Sequence, residues 1–355
     1  MHGAKNVQIS RDESNWELEI KAEFPPEILQ HYRKEAVRDI GKNAKISGFR
    51  PGHIPEAVLV REFGETAILE HAAEHAIQHE LPEILAAEKA NIVEAPRVSI
   101  EKPVSDKPLR FTARAPLAPE IHLPDYKKIA GVRNAKQETV SVSDGEHIET
   151  QTHLRRERAR IEKVEGGMEP AQAAEEAQKA KIEDLPPLDD EFVKSLGYAS
   201  AEDFTQKLRE HIKNEKELQA KSKHRAELID DIVRESRVSY PSILREYELD
   251  DMEVRMRGDL ERMGKTFEEY MSETKKTRDA IRLEWKEAAD KRAKIRLILS
   301  EIARTERLEP DELALSHEIL HAKKHRAHAD PNVLRAHIAH AMRNEKVLEL
   351  LEKLS

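Results

Sequence analysis

Residues 46–64, ISGFRPGHIPEAVLVREFG, differ from the charged helical sequence around them. Within five residues, Phe49 and Arg50 stand between Gly48 and the pair Pro51-Gly52. RPGH (50–53) has proline second and glycine third, the residue types a type II turn selects. Gly48 is suited to end a preceding helix in the left-handed region, and Pro55 to open the next in its first turn. The expected local structure is helix, tight loop, helix. Phe49 then either folds back onto the helix pair or is held outward, and spacing alone leaves both open.

Outward from this loop, residues 1–115 read as an α+β module. Residues 15–24 alternate at period two through Trp16, Leu18, Ile20 and Ala22, a half-buried strand. Pro25-Pro26 opens a helix with a stripe of Ile28, Tyr32, Ala36 or Val37, and Ile40. After Gly64 a longer helix carries Ile68, Leu69, Ala72, Ala73, Ala76 and Ile77, and Pro82 is expected to kink or divide it. Two further strands follow, the second alternating at Leu109, Phe111 and Ala113. Residues 116–142, proline-rich at the start, read as an extended connector. Residues 143–355 read as helical, interrupted at 166–184 by an Ala/Glu/Lys-rich linker that is helical in part. No repeat of fixed period is present, which argues against a solenoid.

Composition agrees with long, solvated helices. Of 355 residues, 36% are charged, 38% hydrophobic and 4% aromatic, poor material for one large core but suited to helices that each bury a stripe. A net charge of −9 argues against coating DNA through the overall field. The chain has no cysteine, which removes disulfides and thiolate chemistry. No apolar run approaches a membrane span, and the first residues lack the apolar core of a secretion signal. The expectation is a soluble, cytoplasmic protein without a membrane partner. No Walker-type glycine loop marks a nucleotide site, so no cofactor is expected.

The spacing Gly48-Phe49-Arg50-x-Gly52-x-x-Pro55 resembles the ribosome-docking motif of the trigger factor family, bacterial chaperones that wait at the polypeptide exit tunnel. LPPLDDEFVKSLG (185–197) resembles the family's re-entry into its helical domain, YPSILREYELDDMEVRM (240–256) the helix that follows, and NEKVLELLEKLS (344–355) its closing helix. The resemblance implies an α+β ribosome-binding module followed by an elongated, mainly α-helical chaperone domain with arm-like helices. It also implies ATP-independent action, with a ribosome-binding set of Gly48, Phe49, Arg50, Pro51, Gly52, His53 and Pro55. The implied partners are the ribosome (exit-tunnel protein and rRNA) and unfolded or nascent polypeptides, with a homodimer as a possible state off the ribosome. Arg50 suits bidentate pairing with phosphate or carboxylate, and Phe49 suits an apolar pocket. Lys42, Lys45 and Arg61 either steer this encounter or are merely solvated.

Two departures stand out. Pro51 and His53 occupy positions where family members frequently carry lysine, so the loop is less basic. The family's prolyl isomerase domain of the FK506-binding type would fall at 166–184. Those nineteen residues hold no aromatic side chain and no strand pattern, so no catalytic residues are expected.

Met252, Met256, Met263 and Met271 suit an adaptable substrate surface, although methionines at helical spacing also fill cores. His317, His321 and His325 are spaced along one helical face, with His328, His337 and His340 following. Without a completing carboxylate or cysteine they read as a solvated face, and no metal is expected. RRERAR (155–160) reads as a solvated charged face, with RNA contact as the alternative. The rival functions are a ribosome-independent holdase or assembly chaperone, a prolyl isomerase, and a non-chaperone helical adaptor.

Overall fold

Period-two alternation near the N-terminus builds a sheet, and helical stripes cover one face of it. The computed structural model describes residues 3–137, 139–325 and 330–355. The chain opens with β1 (Lys5–Asp12), β2 (Glu17–Phe24), α1 (Pro26–Asn43), α2 (Glu56–Phe63), α3 (Glu65–Ala87), β3 (Arg97–Ile100), β4 (Leu109–Pro116) and β5 (Glu120–His122). Next come α4 (Tyr126–Asn134), α5 (Asp144–Glu165), α6 (Pro170–Lys179), α7 (Asp190–Ser195) and α8 (Ala201–Glu235). The remainder is β6 (Arg237–Ser239), α9 (Ser242–Arg262), α10 (Phe267–Thr274), α11 (Arg278–Thr305), α12 (Glu312–His325) and α13 (Pro331–Lys353). No described helix is long and apolar enough to cross a membrane.

Compactness does not follow chain order. Met1–Pro124 with Glu235–Asp311 forms one unit, and Asp125–Arg234 with Glu312–Ser355 forms the other. The helical stretch therefore divides, with β6 to α11 returning to the N-terminal module.

In the first unit the antiparallel sheet has the order β1-β2-β4-β3. Ile20 lies opposite Ala113, Ala22 opposite Phe111, and Phe24 opposite Leu109, so one face is apolar at every second residue. Phe24 and Phe111 stack with centroids 4.7 Å apart. α1 and α3 cover this face with Leu29, Tyr32, Ala36, Leu69, Leu81 and Ile84, while Ala72, Ala73 and Ala76 let α3 approach closely. Each large apolar side chain buried here stabilises the unit by about 1.5–3 kcal/mol.

Several local expectations are corrected. The sequence pattern does not mark β1, because this edge strand offers only Val7 and Ile9 to the core. Trp16 is not a strand residue: it sits before β2 at φ 54°, and its Nε1 donates to the Ala118 carbonyl at 2.8 Å. Pro82 does not break α3. Pro82 and Gln78, whose carbonyl the proline cannot bond, are both exposed, so that group is open to hydration. The 116–142 stretch is not simply extended, since it contains β5 and α4.

β5 pairs antiparallel with β6 and so brings the chain back to the first unit. The Ser242 amide donates to the Asn15 carbonyl at 3.2 Å, and the Tyr247 hydroxyl bonds Glu94. α9 and α11 then pack side by side through ion pairs. Buried Glu248 meets Arg292 at 3.2 Å and Arg296 at 2.9 Å. Buried Glu253 meets Arg278 at 2.8 Å, Arg257 at 3.0 Å and Arg282 at 3.3 Å. Burial opposes ionisation of Glu253, yet hydrogen bonds from Arg278 and Arg257 outweigh it and hold its carboxyl below the usual range.

In the second unit, α6 is not a free linker. Ala177 packs with Ala159 of α5 and with Leu185. α5 starts at a capping box, Ser143 with Glu146, and Lys216 of α8 reaches the same Glu146 carboxylate at 2.6 Å. α4 is fastened to α8 by Arg133, which bonds Asp231 and lies 2.9 Å from Glu227. It is fastened to the end of α13 by Asn134, whose Nδ2 donates to the Leu351 and Leu354 carbonyls.

Candidate functional site

The 44–55 loop connects α1 to α2 over a small apolar cluster. Ala44, Ile54 and Leu59 are buried, with Val37, Ile40, Ile46 and Val58 packed against them. Two turns follow one another above it. The Phe49 amide donates to the Ile46 carbonyl at 3.1 Å, with Gly48 at φ 86° in the third position. The His53 amide donates to the Arg50 carbonyl at 3.0 Å, with Gly52 at φ 84° in the third position. Both have the closing bond and the positive φ of a type II turn. The RPGH turn is as the sequence suggests, whereas the turn around Gly48 is additional. Gly48 does not cap α1, because Ala44 does so in an extended conformation. Pro55 is the N-cap of α2, one residue earlier than a first-turn proline.

One bond fixes this loop to its support. The Gly52 amide donates to the Gly41 carbonyl at 2.7 Å, satisfying one of the last-turn carbonyls that α1 leaves without a helical partner. Phe49 is left 39% exposed, while Ile46 and Ile54 on either side turn inward. Arg50, Pro51, Gly52, His53 and Pro55 are all exposed. Neither Arg50 nor Lys45 has an ion pair among the described residues. Lys42 pairs with Asp39 at 2.8 Å and Arg61 lies 3.5 Å from Glu62, so their charges are partly neutralised. Chemically, the loop presents one aromatic ring and one free guanidinium from a closely anchored base. Phe63, 46% exposed at the end of α2, is a further apolar side chain that the sequence pattern alone did not single out.

The four methionines separate. Met256 and Met271 pack on Leu260, Phe267 and Ile281, with Tyr270 and Trp285, where α9, α10 and α11 meet. Met252 is half-buried, and Met263 is 73% exposed. Val254 and Leu283 are similarly bare at 68% and 71%. Helical spacing could not distinguish these cases, since which face is covered depends on α11.

RRERAR is neither a solvated face nor free to bind RNA throughout. Arg155 donates to the Pro186 and Leu185 carbonyls. Arg158 pairs with Glu162 at 2.7 Å, bonds the Pro187 carbonyl, and lies 4.4 Å over the Phe192 ring. These arginines tie α5 to the Leu-Pro segment.

The late histidines are dispersed among the described residues. His317 and His321 are exposed on α12, and His340 bonds Asn344 on α13 at 3.2 Å. His337 is exposed, whereas His328 and the His325 side chain lie outside the described residues. A different group does converge: Glu35 of α1 with His75 and His79 of α3. The signal for it, histidines four apart on α3, was present in the sequence, but its acidic partner comes from another helix.

The family described as bacterial trigger factor protein matches residues 5–153, and the one described as its C-terminus matches 200–352. The chain is 25% identical to the trigger factor of Clostridium beijerinckii, covering 96% of this chain and 95% of that one. It is 24% identical to the trigger factor of Bacillus subtilis, covering 86% and 88%. Among solved structures, one of a trigger factor chaperone aligns with a TM-score of 0.53 at 17% identity, covering 99% of this chain and 100% of the other, a likeness of fold. With both family matches in chain order and together spanning most of its length, the chain belongs to the bacterial trigger factor family of chaperones.

Proposed function

We propose that this chaperone docks at the ribosomal polypeptide exit through residues 48–55 and shields emerging chains from aggregation without ATP. Phe49 enters an apolar pocket of the rim protein, and Arg50 pairs with a phosphate or carboxylate beside it. The observation that carries this reading is the anchored double turn, which leaves Phe49 exposed and Arg50 unpaired among the described residues. Docking belongs to 1–115, with 116–142 as connector, and substrate holding to the helical part, 143–355. Bare apolar side chains among charged neighbours, such as Val254, Met263 and Leu283, favour weak and promiscuous binding, to which Met252, Met256 and Met271 add adaptable bulk at the same helices. The protein works in the cytoplasm, partly on ribosomes, with a homodimer as its free form.

Prolyl isomerase activity is absent in this reading. The chain between α5 and α8 forms α6, a short 3-10 turn and α7, which offer no sheet or aromatic-walled pocket for such a site. In a proline-limited refolding assay, substoichiometric protein should leave the slow phase unchanged. Catalytic acceleration there would remove this part of the proposal.

Ribosome co-sedimentation tests the docking. Phe49→Ala combined with Arg50→Ala should leave the protein in the supernatant while its suppression of aggregation persists. Pelleting equal to wild type would show that the loop is not the hook. A second reading, a ribosome-independent holdase, is favoured by Pro51 and His53, which lower the loop's charge; it predicts no wild-type pelleting either.

A further inference from the structure

We propose that Glu35, His75 and His79 form a binding site for a divalent transition-metal ion of the zinc, cobalt or nickel class. One ligand atom from each residue lies within 4.8 Å of the others. His75 and His79 are one turn apart on α3 and share a face, the i, i+4 arrangement by which a helix offers two imidazoles to one ion. Glu35 comes from α1, whose spacing from α3 is fixed by buried Tyr32 and Ala36 against Ala72, Ala73 and Ala76. Ligands at about 2.0–2.1 Å from a tetrahedral ion stand about 3.3 Å apart, so these donors need to close by about 1.5 Å at most. Small side-chain adjustments shared among Glu35, His75 and His79 can close that gap.

The surroundings match a metal site better than a chance grouping. Glu35 is half-buried and has no ion-pair or hydrogen-bond partner among the described residues, so its carboxylate is available to a ligand. The His79 ring stacks on Tyr32 with centroids 5.7 Å apart and 16° between planes. The Tyr32 hydroxyl is itself held by Glu80 at 3.0 Å. His75 has Asp39 3.4 Å from its Nε2, a second carboxylate that can orient the ring or complete the ligand set. Two imidazoles with one or two carboxylates suit zinc, cobalt or nickel better than calcium or magnesium. Bound metal would clamp α1 to α3, and α1 is the helix whose Gly41 carbonyl anchors the loop.

Isothermal titration of full-length protein with zinc chloride tests the site, with cobalt chloride and its visible absorption as a second probe. The wild type should take up zinc saturably with a dissociation constant on the order of 10 µM or tighter. His79→Ala, at an exposed position where folding is preserved, should weaken this by about tenfold or more. Glu35→Gln should also weaken it, and both should lose the intense cobalt bands of low coordination. His317→Ala with His321→Ala should leave affinity and bands unchanged. The proposal fails if wild type shows no saturable uptake. It also fails if His79→Ala binds like wild type, or if the tight equivalent disappears with His317 and His321.

Discussion

The amide of Gly52 and the carbonyl of Gly41 are 2.7 Å apart, and this bond joins the tip of a surface loop to the last turn of the helix before it. Without it, the double turn would hang from its two ends. With it, Phe49 and Arg50 are presented from a base that continues into α1 and the sheet core.

Gly52→Ala should therefore be costly despite open space around the position. A methyl group there would meet nothing within 4 Å, but φ 84° strains any L side chain. The expected loss is about 1–2 kcal/mol in urea unfolding, with reduced ribosome pelleting. A variant as stable as wild type would mean that the turn relaxes freely and is no rigid mount.

His53→Lys should strengthen docking. His53 is exposed and uses its backbone amide, not its side chain, to close the turn. Lysine therefore adds charge without disturbing the loop. Association with ribosomes should rise several-fold at low salt and fall more steeply as salt is added. An unchanged salt slope would place position 53 away from the phosphates.

Glu146 makes stability of the second unit acid-sensitive. Hydrogen bonds from Lys216 first, and then from the backbone and hydroxyl of Ser143, lower its pKa from the ordinary 4.5 to about 2. A depressed carboxyl contributes stability that is fully present above the unfolded value and is lost as pH falls through the folded one. Urea midpoints of wild type and Glu146→Gln should thus differ at pH 6. They should converge between about pH 4.5 and pH 2. A gap that persists at pH 2 would assign the effect to packing rather than charge.

Glu253→Gln should destabilise the first unit by about 1–3 kcal/mol, because it leaves Arg257, Arg278 and Arg282 facing one another without their shared anion. Arg257→Ala should cost less than about 1 kcal/mol, since that guanidinium is 39% exposed and well screened. Chemical denaturation of both variants checks the order; a larger loss for Arg257→Ala would reverse the account.

What the sequence determined is local. Pro51-Gly52 specified a type II turn, alternation at Ile20, Ala22 and Phe24 specified β2, and Ser143 with Glu146 specified where α5 begins. Each depends on backbone preference or on residues a few positions apart, which a linear reading contains. The family motif was likewise readable, since its glycines and proline encode the turn itself.

Tertiary structure decided whatever depended on a partner distant in sequence. Met263 and Met271 have equal claim to a helix face, and only the packing of α9, α10 and α11 half-buries Met271 and bares Met263. Arg155 and Arg158 look solvated until the Leu-Pro segment, about 30 residues later, brings carbonyls to them. The return of β6 to β5 groups 235–311 with the N-terminal module, though nothing within those residues announces it. Glu35 and the histidines of α3 likewise converge only because Tyr32 and a run of alanines hold two helices together. Sequence sets the conformational preferences of short segments; burial and charge pairing are properties of surfaces that exist only once those segments pack.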